Sequence, residues 1–131
     1  MKLLLDTHIM LWSLLEPERL PVAVATALEN DSNELWVSPI STWEIHVLAE
    51  KGRVQLDTRP DLWLREVFNT IPFKEAPLNH EVALRSRTIE YDYEDPADRF
   101  LIATTIVYDL TLVTADRRIS AANPCPIFQG H

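Results

Sequence analysis

Glycine, cysteine and positive charge are all scarce in this chain, and each scarcity removes a class of protein. Two glycines among 131 residues, beside 47% apolar and 24% charged residues, exclude a fibrous or disordered chain and fit a compact, helix-rich fold. The single cysteine, Cys125, cannot close an internal disulfide and lacks the company a metal-thiolate cluster needs, so a structural role is expected. Long hydrophobic runs are missing as well. Residues 100–107 form one of the longest, well short of the roughly 18 needed to cross a bilayer, and no signal-peptide pattern opens the chain. A cytoplasmic location without membrane contact is expected.

Lysine and arginine total 12 against 20 acids, a formal net charge of −8. Broad electrostatic capture of nucleic acid is therefore excluded, because phosphate binding draws on clustered Lys and Arg. A local exception remains open. Acids that converge on divalent cations reverse the sign of the field at one place.

What is present is an alternation. Residues 2–5 form an apolar run ending in Asp6, and residues 7–16 then switch to helical spacing. Pro21 opens a second helix to residue 29, and a strand follows at 34–37. Ser38 and Pro39 start a helix that runs to Lys51 and ends at Gly52. Further helices are predicted from Pro60 to residue 70, from an Asn79 cap to residue 90, and from Asp95-Pro96 to residue 108 or 109. A short strand at 71–73, a clear strand at 111–114, a helical turn after Asp116 and an edge strand at 126–128 complete the pattern. Strands alternating with helices imply one α/β domain over 1–131, three-layered, with a central, mainly parallel sheet.

Sites in open α/β sheets lie beyond the carboxyl ends of the strands, where Asp6, Ser38, Thr114 and Asp116 fall. Capping of the next helix is an alternative role for Asp6. Glu44 shares a helix stripe with Ile40 and Leu48, so its carboxylate needs a metal, a proton or an ion pair, Lys51 and Arg53 being the available cations. Asp98 lies in a helix first turn on the face of Leu101, Ile102, Thr105 and Ile106, where favourable interaction with the helix dipole is the competing explanation. Four such carboxylates suit Mg²⁺ or Mn²⁺, and two ions held by them can organise attack on a phosphodiester. Thr7, Ser41 and Thr114 are placed to hydrogen-bond the ligands, and Arg99, Arg117 and Arg118 to meet substrate phosphates or the acids themselves.

The segments Leu4-Leu5-Asp6-Thr7-His8, Ser38-Pro39-Ile40-Ser41-Thr42-Trp43-Glu44, Asp95-Pro96-Ala97-Asp98-Arg99 and Leu112-Val113-Thr114-Ala115-Asp116-Arg117 appear in that order. Through them essentially the whole chain resembles PIN-domain toxins of the VapC type. The resemblance implies a Mg²⁺- or Mn²⁺-dependent endoribonuclease, silenced by a cognate antitoxin and usually a homodimer. It also implies Asp6, Glu44, Asp98 and Asp116 as the acidic quartet, with Asp95 as a helix cap. Ala97 departs from the bulky apolar residue common at that place, which bears on packing only.

Other titratable and aromatic residues are assigned plainer roles. His8 stands near Asp6, His46 points away from Glu44 on its helix, and His80 and His131 form no zinc spacing with them. The four tryptophans, Trp12, Trp36, Trp43 and Trp63, are expected in the core, with Trp12 and Trp63 also candidates for an antitoxin groove. The competing function is a Mg²⁺-binding regulatory or partner-binding module without nuclease activity. A receiver-type module would require an aspartate ending the middle strand, where Val37-Ser38 stands, and a haloacid-type phosphatase a second acid at position 8, occupied by histidine.

Overall fold

The computed structural model describes residues 1–128; His131 lies outside them. Strand β1 (Lys2–Leu5) carries Leu3, Leu4 and Leu5, all fully buried, the unbroken apolar run expected of a strand covered on both faces. It is flanked by β2 (Glu34–Val37) on one side and β4 (Thr111–Val113) on the other, and β3 (Lys74–Glu75) pairs with β2. All pairings are parallel and the order is β3-β2-β1-β4.

Helices occupy both faces. Leu3 and Leu5 pack with Ile9, Met10 and Leu11 of α1 (Thr7–Leu15), Val24 of α2 (Val22–Glu29), Ile45 of α3 (Pro39–Glu50), and Leu64 and Val67 of α4 (Pro60–Thr70). Leu4 faces the other way, against Leu101 and Ile102 of α6 (Pro96–Val107) and Ile119 of α7 (Arg117–Ala122). The three-layer α/β/α arrangement expected from the alternation is the one observed.

Local signals set several boundaries. Gly52 adopts φ +71°, and the amides of Gly52 and Arg53 donate to the carbonyls of Ala49 and Leu48, a paired closure of α3 that favours glycine. Other boundaries differ from expectation. The strand expected at 71–73 begins at Lys74, because the Ile71 amide still closes α4 on the Val67 carbonyl and Phe73 turns back onto Ile71. The helix expected to residue 90 is α5 (His80–Ser86), which stops early as the carbonyls of Ser86, Tyr91 and Tyr93 turn to the Arg99 guanidinium. The edge strand at 126–128 reduces to one bridge, Leu112 with Ile127.

This topology decides where a site can form. The chain winds outward from β1 to β2 and β3, then returns through α5 and α6 to place β4 on the opposite side of β1. The direction of winding therefore reverses between β1 and β4, which leaves a crevice beyond their carboxyl ends.

Candidate metal centre

Asp6 leaves β1 into that crevice and caps α1: its Oδ1 accepts from the Ile9 amide at 2.8 Å. Asp116 follows β4 and caps α7, accepting from the amides of Arg118 and Ile119 at 2.8 and 3.4 Å. Asp95 caps α6 by accepting from the Asp98 amide at 3.1 Å, which leaves Asp98 one turn in and free of capping. Three helix N-termini are thereby aimed at one place, and their partial positive charge offsets some of the repulsion among the acids. The capping role weighed for Asp6 is real. It engages Oδ1, and the side chain still lines the pocket.

Asp6, Glu44, Asp95, Asp98 and Asp116 line a common pocket of about 300 Å³ with Thr7, His8, Trp12 and Arg118. Glu44 arrives from the middle of α3 and makes no ion pair with Lys51 or Arg53, the plainer explanation for it. The Thr7 hydroxyl donates to Ser41 Oγ at 3.0 Å, tying the start of α1 to α3 below Glu44. Thr114 Oγ1 accepts from the Asp116 amide at 3.0 Å and hydrogen-bonds the Asp6 carboxylate, so one hydroxyl aligns two of the acids.

The electrostatics are unrelieved. Burial pushes the Asp6 carboxyl above its ordinary range, a rise opposed by Thr114, the Ile9 amide and His8 and reinforced by Asp116. Asp98 is pushed up to about 7, first by burial and then by the charges of Asp95 and Asp116, with Glu44 adding to the rise and Arg118 opposing it. Its Oδ2 is buried with no hydrogen-bond partner. A buried carboxylate oxygen left without a donor is costly unless a proton or a cation satisfies it.

Among the described residues, no three acidic, histidine or cysteine side chains stand close enough to hold one ion as they are arranged here. Carboxylates repel across such a pocket, and a cation between them would draw them inward. The donors themselves, all carboxylate oxygens with hydroxyls behind them, fit a hard ion such as Mg²⁺ or Mn²⁺, and Asp98 Oδ2, which accepts no hydrogen bond, is suited to serve as a ligand.

The arginines separate sharply. Arg99, expected near substrate or the acids, is 5% exposed, and its guanidinium donates to the carbonyls of Ser86, Tyr91 and Tyr93 at 2.6–3.0 Å. It pins the loop between α5 and α6 and cannot reach a ligand. Arg117 lines a different hollow, with Val24 and Phe128. Arg118 alone enters the acidic pocket, and its guanidinium lies over the Tyr93 ring at 4.6 Å.

The tryptophans also differ from expectation. Trp43, expected in the core, is 60% exposed, whereas Trp12 lines the pocket beneath the Arg19 guanidinium, 4.4 Å from the ring centre. His46 bonds Glu50 at 2.9 Å and stays away from Glu44. Burial raises the Cys125 thiol to about 11, in keeping with an inert structural residue. Sequence reasoning missed Tyr91, whose buried hydroxyl has no partner and is raised to about 12 by burial and then by Asp98 and Asp116. It sits in a loop without periodicity, so no local signal marks it.

Comparison with known proteins places the fold. The family model described as PIN domain matches residues 3–123. Ribonuclease VapC22 of Mycobacterium tuberculosis (strain ATCC 25618 / H37Rv) is 36% identical over 126 residues, covering 95% of each chain. Among solved structures, VapBC2 from Rickettsia felis bound to a promoter DNA fragment superposes with a TM-score of 0.71 at 14% identity, over 98% of both chains. DNA-bound VapBC from Salmonella typhimurium gives 0.71 at 19% identity, over 98% of this chain and 97% of that one.

Proposed function

This chain belongs to the PIN-domain family, in its VapC type, and from that premise we propose that it is a metal-dependent endoribonuclease, the toxin of a toxin-antitoxin pair. The observation that carries the reading is the convergence of Asp6, Glu44, Asp98 and Asp116, from four separate elements, on a pocket where Asp98 Oδ2 has no hydrogen-bond partner. The similar Mycobacterium tuberculosis protein is named a ribonuclease, and the two superposed structures from Rickettsia felis and Salmonella typhimurium are named VapBC assemblies, both bound to DNA. An RNA substrate, a cognate antitoxin, a homodimer and a cytoplasmic setting follow as parts of the proposal. Among the described residues no helix is long and apolar enough to cross a membrane.

In this reading Asp6, Glu44, Asp98 and Asp116 hold Mg²⁺ or Mn²⁺. Such an ion, when bound, supplies an acidified water at neutral pH and charge stabilisation at the leaving oxygen. The chain's own work is positional. Thr114 fixes Asp6 and Asp116 relative to each other, and the Thr7–Ser41 hydrogen bond fixes α1 against the helix bearing Glu44. Asp95 holds the first turn of α6 so that Asp98 faces inward, while the buried Leu101 gives the pocket an apolar wall. Among the described residues, Arg118 is the only lysine or arginine lining the pocket, the place of contact with a substrate phosphate.

The test is cleavage of cellular RNA by purified protein freed of any antitoxin. Mg²⁺- or Mn²⁺-dependent cleavage is expected, abolished by EDTA and by Asp6→Asn, with circular dichroism confirming that the variant is folded. Wild-type protein that cuts no RNA with either ion would favour the partner-binding module. Cleavage that survives both treatments would remove the carboxylates from the mechanism.

A further inference from the structure

Arg118 stands in an unusual place for a half-exposed arginine on an acidic protein. One terminal guanidinium nitrogen lies 3.7 Å from Oδ2 of Asp98 and 3.7 Å from Oδ2 of Asp116. At that distance it is an ion-pair partner to Asp98 without donating a hydrogen bond to it, which is why Asp98 Oδ2 remains without a donor. The Arg118 side chain is 49% exposed, and its Cζ rests 4.6 Å from the centre of the Tyr93 ring, a contact made alongside the ion pairs that depends on neither acid.

An electrostatic conflict follows. RNA requires a cation at this pocket, and of the basic side chains at hand Arg99 is locked onto backbone carbonyls and Arg117 lines another hollow. Yet the one arginine that reaches the pocket is engaged by two of the carboxylates that would ligate the metal. The same guanidinium cannot neutralise those acids and bind a phosphate at full strength.

We propose that Arg118 serves two partners in turn. Without a divalent cation it bridges Asp98 and Asp116 and damps their repulsion. A cation entering between those carboxylates displaces it from them, and the guanidinium, still seated on the Tyr93 ring, turns its planar fork to a phosphate of the RNA backbone. Metal loading and substrate binding are thereby coupled through one side chain. The inference rests on the metal-dependent ribonuclease reading and adds to it a competition between an arginine and the metal.

The experiment measures Mn²⁺ affinity by titration calorimetry on the full chain, as wild type, Arg118→Gln and Arg118→Lys. In parallel it measures binding of a labelled single-stranded RNA with cleavage-resistant phosphorothioate linkages, with Mn²⁺ and with EDTA. Removing a competitor that holds two half-buried, long ion pairs is expected to tighten Mn²⁺ binding roughly three- to tenfold in Arg118→Gln. The same variant is expected to bind RNA about tenfold more weakly in Mn²⁺ and to lower the slope of log affinity against log salt by about one. Arg118→Lys, which keeps the charge without the fork, should fall between the two, and in wild type RNA binding should be stronger with Mn²⁺ than with EDTA. Mn²⁺ affinity that is unchanged or weaker in a folded Arg118→Gln, beside a wild type that binds Mn²⁺, overturns the exchange and leaves the metal site standing. Unchanged RNA affinity overturns the phosphate role. A wild type that binds no Mn²⁺ overturns both this inference and the metal-dependent reading beneath it.

Discussion

The two ends of the sheet treat carboxylates in opposite ways. Where β2 begins, Glu34 accepts from the Trp36 indole at 3.1 Å and meets Lys74 at 3.4 Å, and these partners, the indole foremost, hold its carboxyl below the usual range. Where β1 and β4 end, Asp6 and Asp98 are both raised, chiefly by burial, and Asp98 reaches about 7. One end satisfies its charge, while the other gathers acids faster than it supplies cations. Fold stability favours the first arrangement, so the second persists where a ligand completes it.

The largest effect that would sharpen this contrast is on catalysis. Asp98→Asn is expected to lower Mn²⁺-dependent RNA cleavage by about a hundred- to a thousandfold, the usual scale for losing one preorganised charge at a reacting centre. Glu34→Gln, the matching change at the other end, is expected to leave the rate unaltered. Equal losses in single-turnover assays would break the comparison.

A smaller effect, opposite in sign, is expected in stability. Asp98 carries a folded-state value of about 7 against an ordinary 3.8, so between those limits the folded protein keeps a proton that the unfolded chain has lost. The contribution is therefore fully favourable below about pH 4 and is lost as pH rises through about 7. Metal-free Asp98→Asn should unfold in urea at pH 8 with on the order of 2–4 kcal/mol more stability than wild type, and with no advantage at pH 4. A difference that does not depend on pH would remove the electrostatic explanation. The smallest effect is that of Glu34→Gln on thermal unfolding, where an exposed pair predicts no measurable change, and a clear drop would show that the quiet end of the sheet stabilises more than its exposure implies.

Much of this was legible in the chain itself, for reasons that differ from residue to residue. The caps Asp6, Asp95 and Asp116 are local: each carboxylate meets an amide two or three positions ahead, so spacing alone predicts them. The run Leu3-Leu4-Leu5 announces a strand covered on both faces because it leaves no polar side to expose. The early end of α5 and the fate of Arg99 were not legible, since carbonyls drawn from residues 86, 91 and 93 define the guanidinium's seat. Trp43 misled for a similar reason. Its position on α3 is in phase with apolar residues, yet no element covers it among those described.

By itself, the sequence determined the alternation of strands and helices, the acids at their junctions and the oxygen donors they offer to a cation, because capping, periodicity and donor chemistry act over a few residues. Only the tertiary structure decided that β4 lies beside β1, that Arg118 and not Arg99 faces the acids, and that Asp98 holds its proton to about pH 7. Those outcomes depend on burial and on charges brought together from distant parts of the chain, and neither quantity exists until the chain has folded.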